Sequence, residues 1–192
     1  VNDGSTDRTV EVVKELQRLD HKIRLTSHAK NKGYGAAVKT GLKAATMDWI
    51  FFTDSDGQFH YDELDKFVAA SQSADLVIGY RRKRMDPFHR VFVAQVLLKI
   101  WNFFLFGLTV RDVDCAHKLF KREVRDSIKL ETESAITVTE LLVKAKSLGY
   151  RITQLPVTHY ARKFGEQTGG NWRVIAKAAN ESFKLRRKIR HV

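Results

Sequence analysis

Apolar and polar residues along the first eighty positions form a pattern that predicts helices and strands in turn. Val10, Val13 and Leu16 recur at a helical spacing, and polar residues before them could cap that helix. Short apolar runs bounded by turn residues predict strands. The predicted strands are residues 22–28, 48–54 and 74–80; the other predicted helices end near residue 45 or cover about residues 61–72.

The second half of the chain has a less regular pattern. It predicts a long apolar helix over about residues 89–106, and a strand followed by a short helix within residues 111–124. A helix is predicted over residues 135–148, with Gly149 at its C-cap. Residues 151–162 alternate like one or two strands, residues 163–171 resemble a mobile loop, and residues 172–189 predict a basic helix.

Strands that alternate with helices predict an α/β fold, Rossmann-like, with a mostly parallel sheet and flanking helices. The chain starts at the polar end of what should be a first strand, so we expect the N-terminal strand of this fold to be missing. Ligands of open α/β sheets bind beyond the carboxyl ends of the strands. Asp54, Asp56 and Arg81 are predicted to lie at such ends.

Composition adds charge to this picture. The chain has 192 residues, enough for one domain, and its net charge of +12 favours anionic partners such as phosphates or anionic lipid. The single cysteine, Cys115, excludes an internal disulfide. The longest apolar region, residues 91–108, is interrupted by Gln95, Lys99 and Asn102, so we do not interpret it as a membrane span.

Two carboxylates follow the apolar run WIFFT directly. Asp54 and Asp56 point the same way if the segment is extended, and such a pair is costly unless a positive charge joins it. A hard divalent cation, Mg²⁺ or Mn²⁺, fits oxygen ligands of this kind. Gly57 allows a sharp turn and Gln58 offers a third oxygen. The alternative is a polar turn that caps the next helix.

Five segments in order resemble family 2 glycosyltransferases with a GT-A fold, and most closely the polyprenyl- and dolichyl-phosphate sugar transferases. VNDGSTD is similar to the first nucleotide-binding loop and NKGYGAAVKTGLKAA to the second. DSDGQF resembles the metal-binding motif, VRDVDCAHKLFKREV the acceptor-side segment, and ITQLPVTHYARKFGEQTGG a phosphate-clamping loop. From this resemblance we expect the family's first strand to be missing, and the chain has Ala116-His117 where Gly-Phe is usual.

On the donor side, the resemblance implies that Asp3 contacts the base or ribose of a nucleotide sugar, although a helix cap is the alternative. Gly33 and Gly35 would let the backbone pass close to the nucleotide, and Lys32 would approach a phosphate or simply form a turn. The implied metal ligands are Asp54, Asp56 and Gln58, and Asp54 would also contact the ribose. Gln58 is equally consistent with a helix-capping side chain.

On the acceptor side, the resemblance implies roles for Arg81 and Asp114, for which a solvated loop and a turn are the alternatives. Glu140 either faces the site or is an exposed helix charge. Arg162 would clamp the diphosphate and Lys163 would add charge, while His159 is either a phosphate contact or a packed histidine. The implied catalytic residues are Asp56, Asp114 and Arg162.

Glycines at positions 165, 169 and 170 suggest a lid over bound nucleotide. The implied domain covers residues 1–170, and residues 171–192 form a basic helix. The apolar helix and the basic tail favour a peripheral position on the cytoplasmic face of a membrane. A core helix or a dimer surface is an equal alternative for the apolar helix, and the oligomeric state is open.

The resemblance therefore implies an inverting, metal-dependent transfer of a sugar from a UDP- or GDP-sugar to a polyprenyl phosphate. A hydroxyl acceptor in polysaccharide or glycan synthesis is one alternative. A non-catalytic basic binding module or fragment is another, although the basic tail lacks the interleaved aromatic residues typical of nucleic-acid binding. We therefore do not expect a nucleic-acid partner.

Overall fold

The computed structural model describes residues 1–82, 98–161 and 172–189. Within them, four strands and seven α-helices follow the predicted order closely. The strands are β1 (Trp49–Phe52), β2 (Leu76–Arg81), β3 (Lys118–Lys121) and β4 (Ile152–Val157). The helices are α1 (Thr9–Leu19), α2 (Tyr34–Ala44), α3 (Leu64–Ala70, after the 3₁₀ turn Tyr61–Glu63), α4 (Leu98–Phe106), α5 (Arg122–Ser127), α6 (Ile136–Ser147) and α7 (Trp172–Ile189).

The four strands form one mixed sheet in the order β1-β3-β2-β4. β2 pairs in parallel with β4, whereas β3 lies antiparallel between β1 and β2. Three strands therefore share one direction, as predicted, but β3 opposes them. The chain enters β3 from the carboxyl edge of β2, where Arg81 bonds Asp112, so β3 has to run back across the sheet.

The predicted strand at residues 22–28 is wrong as a strand. The structure has a single parallel bridge there, between Asn2 and Ser27, with backbone bonds from Asn2 N to Thr26 O and from His28 N to Asn2 O. A periodic sequence pattern forms a strand only where a neighbouring strand pairs with it, and within the described residues this segment pairs only with Asn2. The amphipathic helix α1 beside it has no buried residue.

Side-chain alternation in β2 and β3 covers both faces of the sheet. Leu76, Ile78 and Phe120 belong to a large apolar cluster with residues of α2, α6 and α7. Val77 and Leu119 point to the other face, into a smaller cluster that includes Phe67 of α3. Burial on both faces explains the nearly continuous apolar sequence of β2.

Two carboxylates hold the path of residues 131–134, which connect α5 to α6. Glu140 of α6 accepts hydrogen bonds from the backbone N–H groups of Glu131 and Thr132. Glu181 of α7 accepts bonds from the N–H groups of Glu133 and Ser134. The basic helix α7 is thus fastened to the rest of the domain, and its Leu185 lies in the large cluster.

Several predictions fall on residues outside the described ranges. The apolar helix predicted from residue 89 is described only from Leu98 onward. Arg162 and Lys163, and the glycine-rich loop that follows them, also lie outside the described residues. None of the described helices has the length and apolarity that crossing a bilayer requires.

Candidate active site

Side chains from four elements meet near the carboxyl ends of β1 and β2. Asp54 follows β1, Arg81 ends β2, Asp114 lies in the turn before β3, and Tyr34 begins α2. Loss of hydration around the Tyr34 hydroxyl raises its pKa well above the ordinary value, although 42% of the residue is exposed, and the nearby charges of Asp54 and Asp114 raise it further. The ring of Tyr34 meets Phe52 edge-on at 6.4 Å. The structure therefore brings the predicted donor-side and acceptor-side carboxylates to one place.

The loop that carries the two carboxylates is fastened internally. Asp56 Oδ1 accepts a hydrogen bond from Gln58 N at 3.0 Å, and Gly57 supplies the positive φ of 73° that the turn needs. Gln58 is buried, and its Nε2 donates to Tyr160 O at 3.2 Å while Tyr160 N donates to Gln58 O at 2.9 Å. The amide nitrogen of Gln58 thus ties the loop to the segment after β4, and its role as a metal ligand stays a prediction.

The donor set of this loop fits a hard divalent cation, since carboxylate oxygens are the ligands that Mg²⁺ and Mn²⁺ prefer. Within the described residues, this loop included, no group of three or more His, Cys, Asp or Glu side chains is arranged to hold a metal ion. A cation at Asp54 and Asp56 would therefore need further oxygen ligands from a bound molecule.

Asp3 joins the two predicted nucleotide-binding loops. Its Oδ1 lies 2.6 Å from His28 Nδ1 and accepts from Lys32 N at 2.9 Å, and its Oδ2 accepts from Gly33 N at 2.8 Å. Burial by itself would raise the pKa of Asp3, but these hydrogen bonds outweigh burial and lower the pKa. At the start of α1 it is Asp7 that accepts a hydrogen bond, from Thr9 N, while the N-cap residue is Arg8. The helix-cap alternative for Asp3 is wrong.

The two glycines of the second loop have different surroundings. Gly33 has a φ of 93°, which favours glycine, and its N–H is bound by Asp3. Gly35 is buried, and a Cβ there would lie 2.3 Å from Thr137 Oγ1 and 2.5 Å from the carbonyl carbon of Glu133. Internal packing against the segment before α6 thus requires glycine at position 35, whereas the sequence suggested an approach to nucleotide. Lys32 is exposed.

Arg81 forms a nearly buried, two-pronged ion pair with Asp112. The distances are 2.6 Å from Nε to Oδ2 and 2.7 Å from Nη2 to Oδ1. Burial alone would lower the pKa of Arg81, but the bonds and charge of Asp112 raise it above its ordinary value. The solvated-loop alternative for Arg81 is therefore wrong. The pair fixes the turn in which Asp114 is exposed to solvent.

Glu140 has neither of the two roles that its sequence suggested. The residue is 0% exposed, and besides the two backbone donors it accepts a bond from Thr132 Oγ1 at 2.7 Å and one from Lys144 Nζ at 2.6 Å. It is a buried structural carboxylate. His159 is likewise buried, with its ring 5.4 Å from Phe59, which agrees with the packed-histidine alternative.

Three residues near the site were missed as functional candidates: Tyr34, His117 and Lys118. The last two are buried at the start of β3, although polar side chains are rarely enclosed. The sequence contained a signal for both, because a lysine and a preceding histidine stand directly before the apolar residues of the strand KLFK. Arg111 was also missed, and its guanidinium lies 4.7 Å above the ring of Tyr80 at the end of β2.

Comparison with known proteins adds a family model and several relatives. The model described as glycosyl transferase family 2 matches residues 1–128. A dolichyl-phosphate beta-glucosyltransferase of Trichomonas vaginalis is 30% identical over 173 residues, covering 82% of this chain and 52% of that protein. An undecaprenyl-phosphate 4-deoxy-4-formamido-L-arabinose transferase of Salmonella paratyphi B is 29% identical over 178 residues, covering 91% and 53%. The chain thus spans about half the length of these relatives.

A solved structure resembles the fold over nearly the whole chain. It is a glucosyl-3-phosphoglycerate synthase from Mycobacterium tuberculosis in complex with Mn²⁺, UDP-glucose and phosphoglyceric acid. The TM-score is 0.68 at 20% identity, with 95% of this chain and 67% of that chain covered. At this identity the likeness concerns the fold.

Proposed function

The chain belongs to glycosyltransferase family 2, and from that membership we propose that it transfers a hexosyl group from a nucleoside diphosphate sugar to a polyprenyl phosphate at a membrane surface. The family and the GT-A fold predicted from the sequence are confirmed. The observation that carries the proposed activity is that Asp54 and Arg81 lie at the carboxyl ends of β1 and β2, on the same edge of the sheet, where Arg81 binds Asp112 in the turn that carries Asp114.

The relatives support both substrates of this proposal. Two of them are named for transfer to dolichyl phosphate or undecaprenyl phosphate, and the similar solved structure holds UDP-glucose with Mn²⁺. The net charge of +12 suits a reaction in which donor and acceptor are both anionic phosphates.

Asp54 and Asp56 are the residues that would hold the cation, either Mg²⁺ or Mn²⁺. The cation would act as a Lewis acid that neutralises charge on the leaving diphosphate. Asp3 shapes the nucleotide-facing loops by fixing the N–H groups of Lys32 and Gly33. The predicted contact of Asp3 with the base or ribose would use the same carboxylate.

The acceptor side needs orientation more than basicity. A phosphate acceptor is already ionised near neutral pH, so attack on the anomeric carbon requires no strong base. Asp114 is held in an exposed turn by the Arg81–Asp112 pair, where it would orient the acceptor or the sugar. Arg162 and Lys163 keep their predicted role as diphosphate contacts.

Exposed apolar side chains on α4 support the membrane part of the proposal. Ile100, Phe103 and Phe104 are exposed there, and Phe183 of α7 is exposed beside Trp101 of α4. The last turn of α7 carries Arg186, Arg187 and Lys188. An apolar face with an adjacent basic helix matches an anionic bilayer surface.

Calorimetric titration with UDP and GDP, with and without Mn²⁺, tests the donor site. We expect one nucleotide to bind, and Mn²⁺ to strengthen binding by at least about tenfold. Asp56→Ala should remove that gain, while Asp62→Ala, an exposed carboxylate on the neighbouring 3₁₀ turn, should keep it. Equal binding without metal, or an unchanged Asp56→Ala variant, would contradict the proposed site.

Competition between acceptors separates the proposal from the hydroxyl-acceptor alternative. Undecaprenyl phosphate and a disaccharide are offered together with radiolabelled nucleotide sugar, and the labelled product is partitioned into organic solvent. We expect label in the lipid fraction. Label retained only on the disaccharide would favour a transferase of polysaccharide or glycan synthesis.

A further inference from the structure

His117 connects the two ends of the loop that carries Asp54 and Asp56. Its Nδ1 lies 3.0 Å from Thr53 Oγ1, and its Nε2 lies 3.3 Å from the carbonyl oxygen of His60. A carbonyl oxygen only accepts, so Nε2 carries the proton and donates, and Nδ1 accepts from the Thr53 hydroxyl. Both ring nitrogens are therefore used, one at each end of the loop.

Aromatic packing fixes the plane of this ring. The ring centroids of Phe51 and Phe59 lie 4.9 Å and 4.8 Å from that of His117, and Phe67 lies 5.8 Å away. The residue is 1% exposed, and burial lowers its pKa, which favours the neutral ring that the hydrogen bonds require. A ring enclosed in this way holds Thr53 and His60 at a set separation.

The next residue, Lys118, makes the equivalent connection for the other loop. It is also 1% exposed, and its Nζ donates to Val113 O at 3.0 Å and to Cys115 O. These carbonyls flank Asp114, so the lysine fixes the turn that presents this carboxylate. Burial lowers the pKa of Lys118, whereas the carboxylates around it, Asp112, Asp114 and Asp54, favour its charge.

Strand alternation sends these adjacent side chains to opposite faces of the sheet. His117 continues the ladder with β2, since Gly79 N donates to His117 O at 2.7 Å, and Lys118 is the first residue of β3. A Cβ on Gly79 would lie 3.1 Å from His117 Cβ and 3.0 Å from Cys115 Sγ. Such tight packing leaves the start of β3 little room to shift.

We propose that His117 and Lys118 are positioning residues that set the two loops of the site separately: His117 the donor loop at residues 53–60, and Lys118 the acceptor turn at residues 112–115. The inference rests on the proposed function. A phenylalanine at position 117 would keep the packing but make neither hydrogen bond.

Steady-state kinetics with UDP-glucose and undecaprenyl phosphate, paired with UDP–Mn²⁺ calorimetry, test the donor half. His117→Phe keeps an aromatic ring, and Thr53→Val removes the hydrogen bond to Nδ1 from the other partner, together with the longer contact of the Thr53 hydroxyl with Asp54 O at 3.4 Å. Thr53→Val should raise the KM for UDP-glucose and the Kd for UDP–Mn²⁺ by about three- to tenfold, the effect of one lost hydrogen bond, and His117→Phe, which loses two, by at least as much. The KM for undecaprenyl phosphate should stay within about twofold.

The assignment of Lys118 to the acceptor turn makes the opposite prediction for the two KM values. Lys118→Met and Lys118→Gln should raise the KM for undecaprenyl phosphate by about three- to tenfold and leave UDP–Mn²⁺ binding within about twofold. Lys121→Met is the matched control. It removes a lysine from the far end of the same strand, where Lys121 pairs with Asp75. This control should change thermal stability but neither KM.

The outcomes separate this inference from the proposed function. A wild-type chain that neither binds nucleotide nor transfers sugar would overturn the proposed function. An active wild type whose His117→Phe and Thr53→Val variants keep the donor KM, or change both KM values equally, would overturn the separate-loop assignment. If both Lys118 variants fail to unfold cooperatively, Lys118 is a core residue and the acceptor half is wrong.

Discussion

One carboxylate, Asp75, ties together three neighbouring strands at the edge of the sheet away from the site. It precedes β2, accepts from Lys121 Nζ at 2.8 Å at the end of β3, and accepts from Arg151 N at 3.0 Å just before β4. Hydrogen bonds from Lys121 and then Arg151 hold the pKa of Asp75 far below its ordinary value. Its charged form therefore stabilises the folded chain.

The sign of the pH dependence follows from that lowered pKa. The stabilisation is complete above the unfolded-state value of 3.8 and is lost as the pH falls through the lower folded-state value. Asp75→Asn should lower the free energy of unfolding by about 1–2 kcal/mol at pH 7. We expect the difference from wild type to shrink below about pH 4, measured by urea denaturation across the pH range.

Asp48→Asn is the control for this prediction. Asp48 also pairs with an arginine, Arg122 Nη2 at 2.9 Å, but its side chain is 86% exposed. Exposed pairs contribute little, so the change should stay below about 0.5 kcal/mol. Equal losses in the two variants would mean that the position of Asp75 between three strands adds nothing.

Sequence reasoning at the residue scale worked where local chemistry decides, and failed where tertiary contacts decide. It predicted Asp54 and Arg81 at strand ends because both directly follow apolar strand residues. It could not foresee that Gly35 packs against Glu133, or that Glu140 binds the backbone of residues 131 and 132. Those partners are distant in sequence or lie across a turn that has no motif.

At the scale of elements, α2 offers a matched pair of glycines. A Cβ at Gly35 would overlap the backbone of Glu133, whereas one at Gly41 would meet only the end of the Val1 side chain, at 3.3 Å. We expect Gly35→Ala to destabilise the chain by about 1–3 kcal/mol, because backbone must move. Gly41→Ala should be neutral or stabilising by up to about 1 kcal/mol, through helix propensity.

Thermal denaturation followed by circular dichroism measures both variants. The packing explanation requires a lower melting temperature for Gly35→Ala alone. A Gly35→Ala variant as stable as wild type would show that α2 can move away from the segment before α6. Its glycine would then be explained better by the approach to nucleotide that the sequence suggested.

Most helices and strands were predictable because each has a clear hydrophobic periodicity or a residue that ends the element. The helix Trp172–Ile189 was predicted to the residue, and Gly149, with a φ of 80°, ends α6 as expected. The direction of β3 was not predictable, since no local pattern records which edge of the sheet a strand enters from. The pairing of Arg81 with Asp112 brings the chain to the carboxyl edge of β2, and from there β3 runs antiparallel to β2.

At the scale of the whole molecule, the proposed function predicts that the exposed faces of α4 and α7 would contact lipid. Phe104 is 76% exposed on α4. Phe104→Ser should weaken binding to vesicles that contain phosphatidylserine by about tenfold, the effect of one less buried aromatic side chain. Leu19→Ser on α1, where Leu19 is 84% exposed, is the control and should leave binding unchanged.

Sedimentation of the protein with sucrose-loaded vesicles gives the partition coefficient directly. Raising the salt concentration should weaken binding of wild type and of both variants, because the basic residues of α7 act through screened charge. If Phe104→Ser and Leu19→Ser bind as wild type does, α4 is not the lipid-facing surface. The alternatives of a core helix or a dimer surface would then apply.

The segment at residues 131–134 has a consequence for how relatives can diverge. Its backbone N–H groups are bound by Glu140 and Glu181, which lie on two different helices. Every residue except proline has a backbone N–H, so substitutions other than proline within the segment preserve these backbone bonds. Loss of Glu140 would remove the bonds to residues 131 and 132, and loss of Glu181 those to residues 133 and 134. Over evolutionary time Glu131 and Glu133 can therefore drift more readily than Thr132 and Ser134, whose hydroxyl groups also bind the two glutamates that fix the route of the chain.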